Sequence, residues 1–324
     1  MTVSAAPLAP PGPRVDAPFA SALVSAGHRR PDLVVLSADL SKYTDVADFA
    51  AAFPERFIQV GMAEQNLMGI AGGLAKTGFR PVAVTYCVFA TRRAFEQVAM
   101  ALTTGGPGAV VAAFLPGITT PFRATHQGTE DLALMRTLPG MTVIDPVDAT
   151  ELAAALDAAV DHTGPVYLRG LRGSVRRVLG PGHRFRIGAA YELLSGGDVG
   201  LIGTGLGTQW ALDAAQLVAA RGVRASLLHV PTLKPADEQA IAAYCARFPQ
   251  VTTIENHTTV GGLGSVVADA VTATGLPTRI HRLGVPDRWA PAGSLDHVRR
   301  QLGLDAESLA AAVLTHHRQE ARTS

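Results

Sequence analysis

Glu64 is the residue of this sequence with the clearest potential for chemistry. A strand-like run over residues 57–60 precedes an apolar helical pattern over 61–76, so Glu64 falls in the first turn of a predicted helix. Met68 and Ala71 lie on the same helical face. A carboxylate among apolar neighbours is costly to ionise and suits proton exchange with a weakly basic nitrogen. Spacing alone leaves open the alternative that Glu64 only complements the positive end of the helix dipole.

The apolar residues in the first half of the chain alternate between two patterns. Near-continuous apolar runs predict buried strands at 33–38, 81–86, 109–114, 141–144 and 165–168. Helical patterns occupy most of the intervals, at 61–76, 91–102, 129–137 and 149–161. This alternation predicts an α/β fold in which helices cover both faces of a parallel sheet.

The same alternation restarts after a Gly- and Pro-rich break at 179–183. Strands are predicted at 198–204, 224–230, 251–255 and 278–283, and helices at 209–221, 238–247 and 264–274. The sequence therefore predicts two parallel-sheet domains, over 15–180 and 185–324. The Ala- and Pro-rich residues 1–14 are predicted to form a disordered tail.

Composition narrows the class of protein. With 324 residues, of which 48% are hydrophobic and 17% charged, the chain has the composition of a soluble globular protein. The net charge of +1 gives no reason to expect a nucleic-acid partner. Cys87 and Cys245 are too few for a disulfide framework or a zinc site. No signal peptide is visible, and no apolar run approaches the ~20 residues of a membrane helix, which predicts a cytoplasmic protein without membrane contact.

The segment 60–71, Val-Gly-Met-Ala-Glu-Gln-Asn-Leu-Met-Gly-Ile-Ala, resembles the strand–helix junction in the pyrimidine-binding domain of the transketolase family. The resemblance extends over nearly the whole chain. It implies the thiamine-diphosphate-binding fold of that domain, followed by a transketolase C-terminal domain. In the family this Glu contacts N1′ of the aminopyrimidine of thiamine diphosphate, so the resemblance gives Glu64 a catalytic and cofactor-binding role.

Other stretches of the first predicted domain extend the resemblance to the cofactor and the substrate. Tyr86, Phe89 and Arg92 occupy positions where transketolases place the rings that pack on the aminopyrimidine. His126, in Thr-His-Gln, matches the His that faces the substrate, where it can donate a hydrogen bond or shuttle a proton. Asp39, in Ala-Asp-Leu, matches a residue near the cofactor at the subunit interface, although an ordinary turn Asp is the alternative.

Arginines near the predicted site suggest an anionic substrate. In transketolases an Arg just past the strand that matches 165–168 holds the substrate's phosphate. Arg172 fits that register better than Arg169, and the fork of a guanidinium suits phosphate or carboxylate. Arg123, beside the predicted substrate loop, is a further candidate for contact with the anion.

The Gly-rich turn at 203–209 offers a different function, dinucleotide binding, because it follows a predicted strand and precedes a helix. Thr208 stands in place of the third glycine, however, and the next strand ends at His229 without an acidic residue for a ribose hydroxyl. A similar turn occurs in the transketolase C-terminal domain, which usually contributes to dimerisation. The resemblance to that domain also includes the segments 233–237, 255–264 and 284–288.

The Gly-Asp-Gly motif through which transketolases anchor the diphosphate and Mg²⁺ does not occur in this sequence. The resemblance therefore implies the C-terminal subunit of a split transketolase. Its expected partner is an N-terminal subunit that carries Gly-Asp-Gly and binds the Mg²⁺, within an α2β2 heterotetramer.

The resemblance implies transfer of a two-carbon ketol unit from a ketose donor to an aldehyde acceptor. Phe114 and Phe122 stand where sugar-phosphate transketolases carry a His and an Asp, so we expect sugar or aldehyde substrates that are smaller, less hydroxylated or differently charged than the pentose phosphates. Two alternatives remain open: a beta subunit of a 2-oxo-acid dehydrogenase-type enzyme, and a noncatalytic subunit that kept the fold.

Overall fold

The computed structural model describes residues 4–5, 8 and 14–320. Numbered along the chain, its strands are β1 Ser4–Ala5, β2 Val15–Asp16, β3 Leu33–Ser37, β4 Phe57–Gln59, β5 Arg80–Tyr86, β6 Val110–Phe114, β7 Thr142–Ile144, β8 Val166–Arg169, β9 Ser174–Val175, β10 Tyr191–Leu194, β11 Val199–Gly203, β12 Ala225–His229, β13 Thr232–Lys234, β14 Gln250–Thr258 and β15 Arg279–Val285. Its α-helices are α1 Pro18–Arg29, α2 Ala47–Ala52, α3 Glu64–Lys76, α4 Phe95–Gln97, α5 Asp131–Thr137, α6 Ala149–Asp161, α7 Gly205–Ala219, α8 Glu238–Cys245, α9 Leu263–Thr274, α10 Leu295–Leu302 and α11 Ala306–Glu320.

The first sheet has the strand order β13-β7-β8-β6-β5-β3-β4. Its neighbouring strands are parallel except for β13 and β7. Helices α1 and α6 pack on one face through Phe19 and Leu152, while α3 packs on the other through Leu67 and Met68. The near-continuous apolar runs of the central strands are therefore buried on both sides, which confirms the predicted fold class for this half.

The second sheet has the strand order β1-β10-β12-β11-β14-β15. The β10–β12 pair is antiparallel and the others are parallel. Helices α7 and α11 cover one face with Trp210 and Val313, and α8 and α9 cover the other with Ile241 and Val267. Two layers of helices again enclose a mostly parallel sheet, as the sequence predicts.

Two short strands cross the boundary that the sequence suggests between the domains. Strand β13 follows the break at 179–183 but adds antiparallel to β7 of the first sheet. Strand β1 lies in the predicted disordered tail and pairs in parallel with β10, and Leu8 forms a bridge with Leu179. The other residues of that tail before Arg14 lie outside the described part of the chain.

The structure departs from the predicted elements in two places that matter for the site. Helix α3 begins at Glu64 rather than at Gly61, whose φ of 74° belongs to a turn. The helix predicted over 91–102 is replaced by two π-helical turns, Phe89–Arg93 and Val98–Leu102, on either side of α4. Helices α1, α2, α10 and α11 were not predicted. Within the described residues, no helix has the length and apolar character to cross a membrane.

A buried ionic cluster stabilises the loop ends of the first sheet. The Arg169 guanidinium, at the end of β8, donates from Nε to Asp131 at 2.8 Å and from Nη1 to Asp145 at 3.1 Å. The Tyr167 hydroxyl also donates to Asp131, at 2.6 Å. Burial alone would raise the pKa of the Asp131 carboxyl, but Arg169 outweighs burial and holds that pKa below its usual value. Asp131 is the first residue of α5, so this cluster fixes the start of that helix.

Glu151 joins both domains and the segment between them. His229 Nε2, at the end of β12, lies 2.8 Å from one Glu151 oxygen, and His183 Nε2 lies 3.1 Å from the other. Burial opposes the ionisation of Glu151, yet the two histidines lower its pKa to about 2. The two domains are thus joined by a polar contact between side chains that are almost fully buried.

Candidate functional site

The predicted site residues gather at one edge of the first sheet. Strands β3, β5, β6 and β8 are parallel, so their carboxyl ends meet there. Ligands of open α/β sheets bind outside such ends. Asp39 follows β3, Tyr86 ends β5 and Arg172 follows β8.

Glu64 is the first residue of α3, and its side chain is only 2% exposed. Met68 and Ala71 are buried on the same helix, as predicted. The sequence did not predict that the carboxylate has a cationic partner: Arg93 Nη1 donates a hydrogen bond to Glu64 Oε2 at 2.8 Å. The surroundings of Glu64 are therefore apolar on the helix side and charged on the side of Arg93.

Tyr86 and Phe89 form a flat aromatic surface, with ring centroids 5.9 Å apart and planes 25° from parallel. The His126 ring stands edge-on to Phe89 at 5.5 Å and lies 6.4 Å from Tyr86. Phe122 also packs against His126, with ring centroids 5.0 Å apart. Burial raises the pKa of the Tyr86 hydroxyl. The structure therefore brings together two residues of the predicted cofactor surface and the predicted substrate-facing His126.

Arg93 lies over the Phe89 ring, with its Cζ 4.5 Å from the ring centroid. It is a site residue that sequence reasoning missed. Periodicity gave no signal for it, because residues 89–93 form a π-helical turn rather than an α-helix. A planar cationic group thus lies on the aromatic surface and bonds to the buried carboxylate. The arrangement can hold a flat group that carries N–H donors on its edge.

Arg92, predicted to contact the cofactor, is tied to the segment that contains His126. Its guanidinium donates to the carbonyls of Ala124 and Gln127 and to both carboxylate oxygens of Glu130. Its Cζ also lies 5.0 Å from the Trp289 ring of the second domain. These contacts give Arg92 a positioning role around His126, and its contact with a cofactor stays a prediction.

Asp39 lies at the edge of the site in a left-handed backbone conformation, with φ 58°. Its N–H donates to the Gln59 side chain at 2.7 Å, and that same side-chain oxygen accepts from Gly61 N–H at 3.2 Å. Gln59 therefore links the loop after β3 to the turn that precedes Glu64. The Asp39 carboxylate itself is exposed, so its predicted role near a cofactor stays untested.

A cavity of about 510 Å³ opens beside Tyr86 and reaches from the first domain to α7 and α10. Arg172 lines it and donates to the Tyr43 carbonyl at 2.9 Å. Arg169 is 1% exposed and held by two carboxylates, so it is excluded as a ligand for a substrate anion. Between the two arginines that the sequence left open, only Arg172 faces the cavity. Arg123 is exposed on the loop that carries Phe122.

The expectation that Phe114 faces the substrate is wrong. Its side chain is fully buried, packs edge-on against Phe19 at 5.0 Å and leaves room only for Gly170 beside it. Leu115 lines the cavity instead, with a strained φ of 56°. Phe122 also lines the cavity and is 58% exposed. One of the two apolar replacements therefore lies where a substrate could meet it.

The Gly-rich turn of the second domain does not present a free anion site. A Cβ on Gly205 would lie 2.3 Å from the Asp145 carboxylate, and a Cβ on Gly207 would lie 2.3 Å from the Ile254 carbonyl. The N-terminus of α7 is thus filled by a carboxylate of the chain itself. Gly205 allows close packing on the first domain and Gly207 allows close packing on β14 of its own domain, which argues against a dinucleotide there.

Comparison with known proteins identifies the family of this chain. Residues 14–177 match the transketolase pyrimidine-binding domain, and residues 188–309 match the transketolase C-terminal domain. An uncharacterised transketolase family protein of Sinorhizobium fredii is 43% identical over 93% of this chain and 88% of its own length. The 6-deoxy-6-sulfo-D-fructose transketolase subunit of Clostridium sp. strain MSTE9 is 37% identical over 86% of this chain and 87% of its own.

Among solved structures, a split-gene transketolase described as an inactive β4 tetramer superposes with a TM-score of 0.83. It is 38% identical, and the match covers 92% of this chain and 96% of the other. Both domain matches and these relatives show that the chain belongs to the transketolase family and comprises its pyrimidine-binding and C-terminal domains.

Proposed function

We propose that this chain is the C-terminal subunit of a two-chain, thiamine-diphosphate-dependent transketolase-like enzyme that moves a two-carbon ketol unit from a ketose to an aldehyde. One observation carries the proposal. The buried Glu64 carboxylate and the Phe89 ring already bind a planar N–H donor, the guanidinium of Arg93. The aminopyrimidine of thiamine diphosphate is a planar ring with nitrogen at its edge, so the residues present fit it.

The chain's own residues divide the proposed chemistry between them. Thiamine diphosphate, when bound, supplies the electron sink for cleavage beside a ketose carbonyl. Glu64 holds a proton at N1′ of the aminopyrimidine, while Tyr86 and Phe89 orient the ring by packing on its face. His126, fixed by the contacts of Arg92, donates a hydrogen bond to a substrate oxygen. Arg172 binds the anionic end of the substrate.

The partner in this proposal is an N-terminal subunit that carries Gly-Asp-Gly and holds the Mg²⁺ on the diphosphate, in an α2β2 heterotetramer. Two relatives support a two-chain enzyme, since one is named a transketolase subunit and the other a split-gene transketolase. In the described part of this chain, no three His, Cys, Asp or Glu side chains are grouped so that they could hold a metal ion. We therefore assign no residue of this chain to Mg²⁺.

The proposed substrates are a sugar and an aldehyde with fewer hydroxyls than the pentose phosphates, at least one of them anionic. Phe122 and Leu115 offer no hydrogen bonds to a polyol in the cavity, whereas Arg172 offers a cation. The name of the Clostridium relative, a 6-deoxy-6-sulfo-D-fructose transketolase subunit, supports an anionic sugar that lacks one hydroxyl.

The test is reconstitution of the chain with such an N-terminal subunit, followed by calorimetry with thiamine diphosphate and Mg²⁺. We expect micromolar binding by the complex and poor binding by this chain alone. A complex that binds no thiamine diphosphate would overturn the proposal, and equally tight binding by this chain alone would remove the need for the partner. An assay of ketol transfer by the loaded complex distinguishes the proposed enzyme from the alternative of a noncatalytic subunit, which would show no transfer.

A further inference from the structure

Arg93 makes two contacts at the proposed cofactor site, one with a buried carboxylate and one with an aromatic ring. Its Nη1 reaches Glu64 Oε2 at 2.8 Å, and its Cζ lies 4.5 Å from the centroid of Phe89. The Arg93 side chain is 51% exposed, whereas the Glu64 side chain is 2% exposed. Arg93 is therefore a half-exposed cation bonded to a carboxylate that is almost completely buried.

The guanidinium has the same recognition chemistry as an aminopyrimidine protonated at N1′. Both are flat and delocalised, both stack on an aromatic face, and both present N–H donors at the edge to a carboxylate. The face of Phe89 and the Glu64 Oε2 that Arg93 occupies can bind only one such group at a time. Whatever lies on Phe89 and bonds to Glu64 must therefore displace Arg93.

Neighbouring contacts indicate which arginine can move. Arg92 is held by the carbonyls of Ala124 and Gln127 and by Glu130, so its departure would break several hydrogen bonds to partly buried groups at once. Arg93 is half exposed and can exchange its contacts for water. Partly exposed ion pairs and cation–π contacts are weak, and their loss changes an equilibrium by roughly three- to tenfold.

We propose that Arg93 competes with the aminopyrimidine of thiamine diphosphate for Glu64 and Phe89, and that its side chain leaves both when the cofactor binds. This inference rests on the function proposed above. Arg93 also gives Glu64 a counter-ion when the ring is absent, because a buried carboxylate without a partner destabilises a fold. The same residue therefore stabilises the chain and weakens its affinity for the cofactor.

Substitution of Arg93 tests the competition because it should lower the stability of the chain and raise its affinity for the cofactor. For Arg93→Gln we expect the Tm of the chain to fall by about 1–4 °C. The Kd of the reconstituted complex for thiamine diphosphate, measured by calorimetry with Mg²⁺, should fall about three- to tenfold. Arg93→Lys keeps the charge but loses the planar guanidinium. The Kd of this variant for thiamine diphosphate should also fall, but by less than that of Arg93→Gln. Arg300→Gln, which removes an exposed helical arginine of α10, should change neither quantity.

The outcomes separate this inference from the proposed function. A wild-type complex that binds thiamine diphosphate, with an Arg93→Gln complex that binds it equally or more weakly, would overturn the competition and leave the function standing. A wild-type complex that does not bind would overturn both. A crystal structure of the loaded complex adds a direct readout, since Arg93 should no longer lie over Phe89. An Arg93 still stacked there would contradict the inference.

Discussion

Asn256 of the second domain holds Ile118 of the first, accepting a hydrogen bond from its backbone N–H at 3.0 Å. The same side chain donates to the carbonyl of Pro116 at 3.1 Å. Between these two residues lies Gly117, at φ 60°, where a Cβ would come within 2.2 Å of the Asn256 side chain. The loop that follows β6 and lines the cavity is thus shaped by a residue of the other domain. The C-terminal domain therefore takes part in forming the site.

Asn256→Ala should destabilise the protein and loosen this loop. The buried Ile118 N–H loses its partner, whereas the Pro116 carbonyl still accepts from the Thr119 hydroxyl at 2.8 Å. We expect the loss to cost roughly 1–3 kcal/mol in the free energy of unfolding. Urea denaturation measures that loss. Asn256→Asp is the matched variant, because a carboxylate can still accept from Ile118 but cannot donate to Pro116. Equal stability of the Asn256→Ala variant and the wild-type protein would show that water replaces both bonds.

Glu64→Gln should nearly abolish turnover of the assembled enzyme while the fold is retained. A neutral amide cannot hold and release a proton at N1′. Hydrogen–deuterium exchange at C2 of thiamine diphosphate is the direct measurement, since it reports activation of the cofactor without a substrate. Exchange within a few-fold of the wild-type rate would remove Glu64 from this role, whatever the effect on turnover.

Arg92→Ala should lower activity by releasing the segment that carries His126. Its guanidinium satisfies two carbonyls and Glu130, and hydrogen bonds to charged groups contribute about 1.5–3 kcal/mol each when removed. Arg92→Lys should not rescue it, because an ammonium cannot span these acceptors in a fixed fork. We expect kcat to fall while the Kd for thiamine diphosphate changes little. A large rise in that Kd instead would restore the predicted contact with the cofactor.

The fold could be predicted from this sequence because its strands are long apolar runs. Helix α6 was predicted with its observed bounds, 149–161, where an Asp148 side chain caps the first turn. Pairing direction was not predictable: β10 and β13 are short strands, and the apolar pattern of a strand is the same in either orientation. The amphipathic helices α10 and α11 lie beyond the last strand that was recognised.

The candidate site was predictable for residues that lie at the end of a strand or the start of a helix. It was not predictable where a side chain bonds to a partner from another element. Glu64, Tyr86 and Phe89 follow from strand ends and helix starts. The pairing of Glu64 with Arg93 depends on a π-helical turn that periodicity cannot indicate. Phe114 was assigned to the substrate by its register with the transketolase family, and register does not show that all five residues of β6, including Phe114, are buried in the core.

Stability should fall as the pH rises through neutrality because of Glu255. Burial raises the pKa of Glu255 to about 7, although the N–H groups of Gly264 and Leu263 donate to it. Its ordinary value is 4.5, so the folded state binds this proton more tightly than the unfolded chain. The stabilisation is complete below pH 4.5 and is lost as the pH rises through about 7. The adjacent His257 stays neutral across that window, since burial lowers its pKa to about 4.

Glu255→Gln isolates this contribution. The difference in unfolding free energy between wild type and variant should decline by on the order of 1–3 kcal/mol between about pH 5 and pH 8. Denaturation at several pH values measures it, with Glu238→Gln as the control at an exposed position. A difference that stays constant with pH would show that Glu255 does not change protonation there.

Arg172→Ala should raise KM for an anionic substrate far more than it lowers kcat. Arg172 lines the cavity and donates to the carbonyl of Tyr43 rather than to a carboxylate, and the Asp45 carboxylate lies near enough to interact with its charge. Arg176 lines the same cavity but already pairs with Asp213 at 2.7 Å, which makes Arg176→Ala the matched control. Loss of a charge-assisted contact costs roughly 1.5–3 kcal/mol, or about 10- to 150-fold in kcat/KM. An anion distant from the reacting carbon is bound similarly in the ground and transition states, so the effect should fall on KM.

Substrates that differ in charge or in the number of hydroxyls can show which of the two features this cavity recognises. Phe122→Asp restores a hydrogen-bonding side chain, and it should raise kcat/KM for a polyol such as a pentose phosphate relative to a less hydroxylated donor. Arg172→Ala should instead weaken all anionic donors alike and leave a neutral aldehyde acceptor unaffected. The assay is kcat/KM of the reconstituted complex over a panel that varies charge and hydroxyl count separately. If Arg172→Ala and Arg176→Ala have equal effects on every donor, Arg172 does not bind the anion, and Arg14, which lines the same cavity and donates to the Ser174 carbonyl, becomes the candidate.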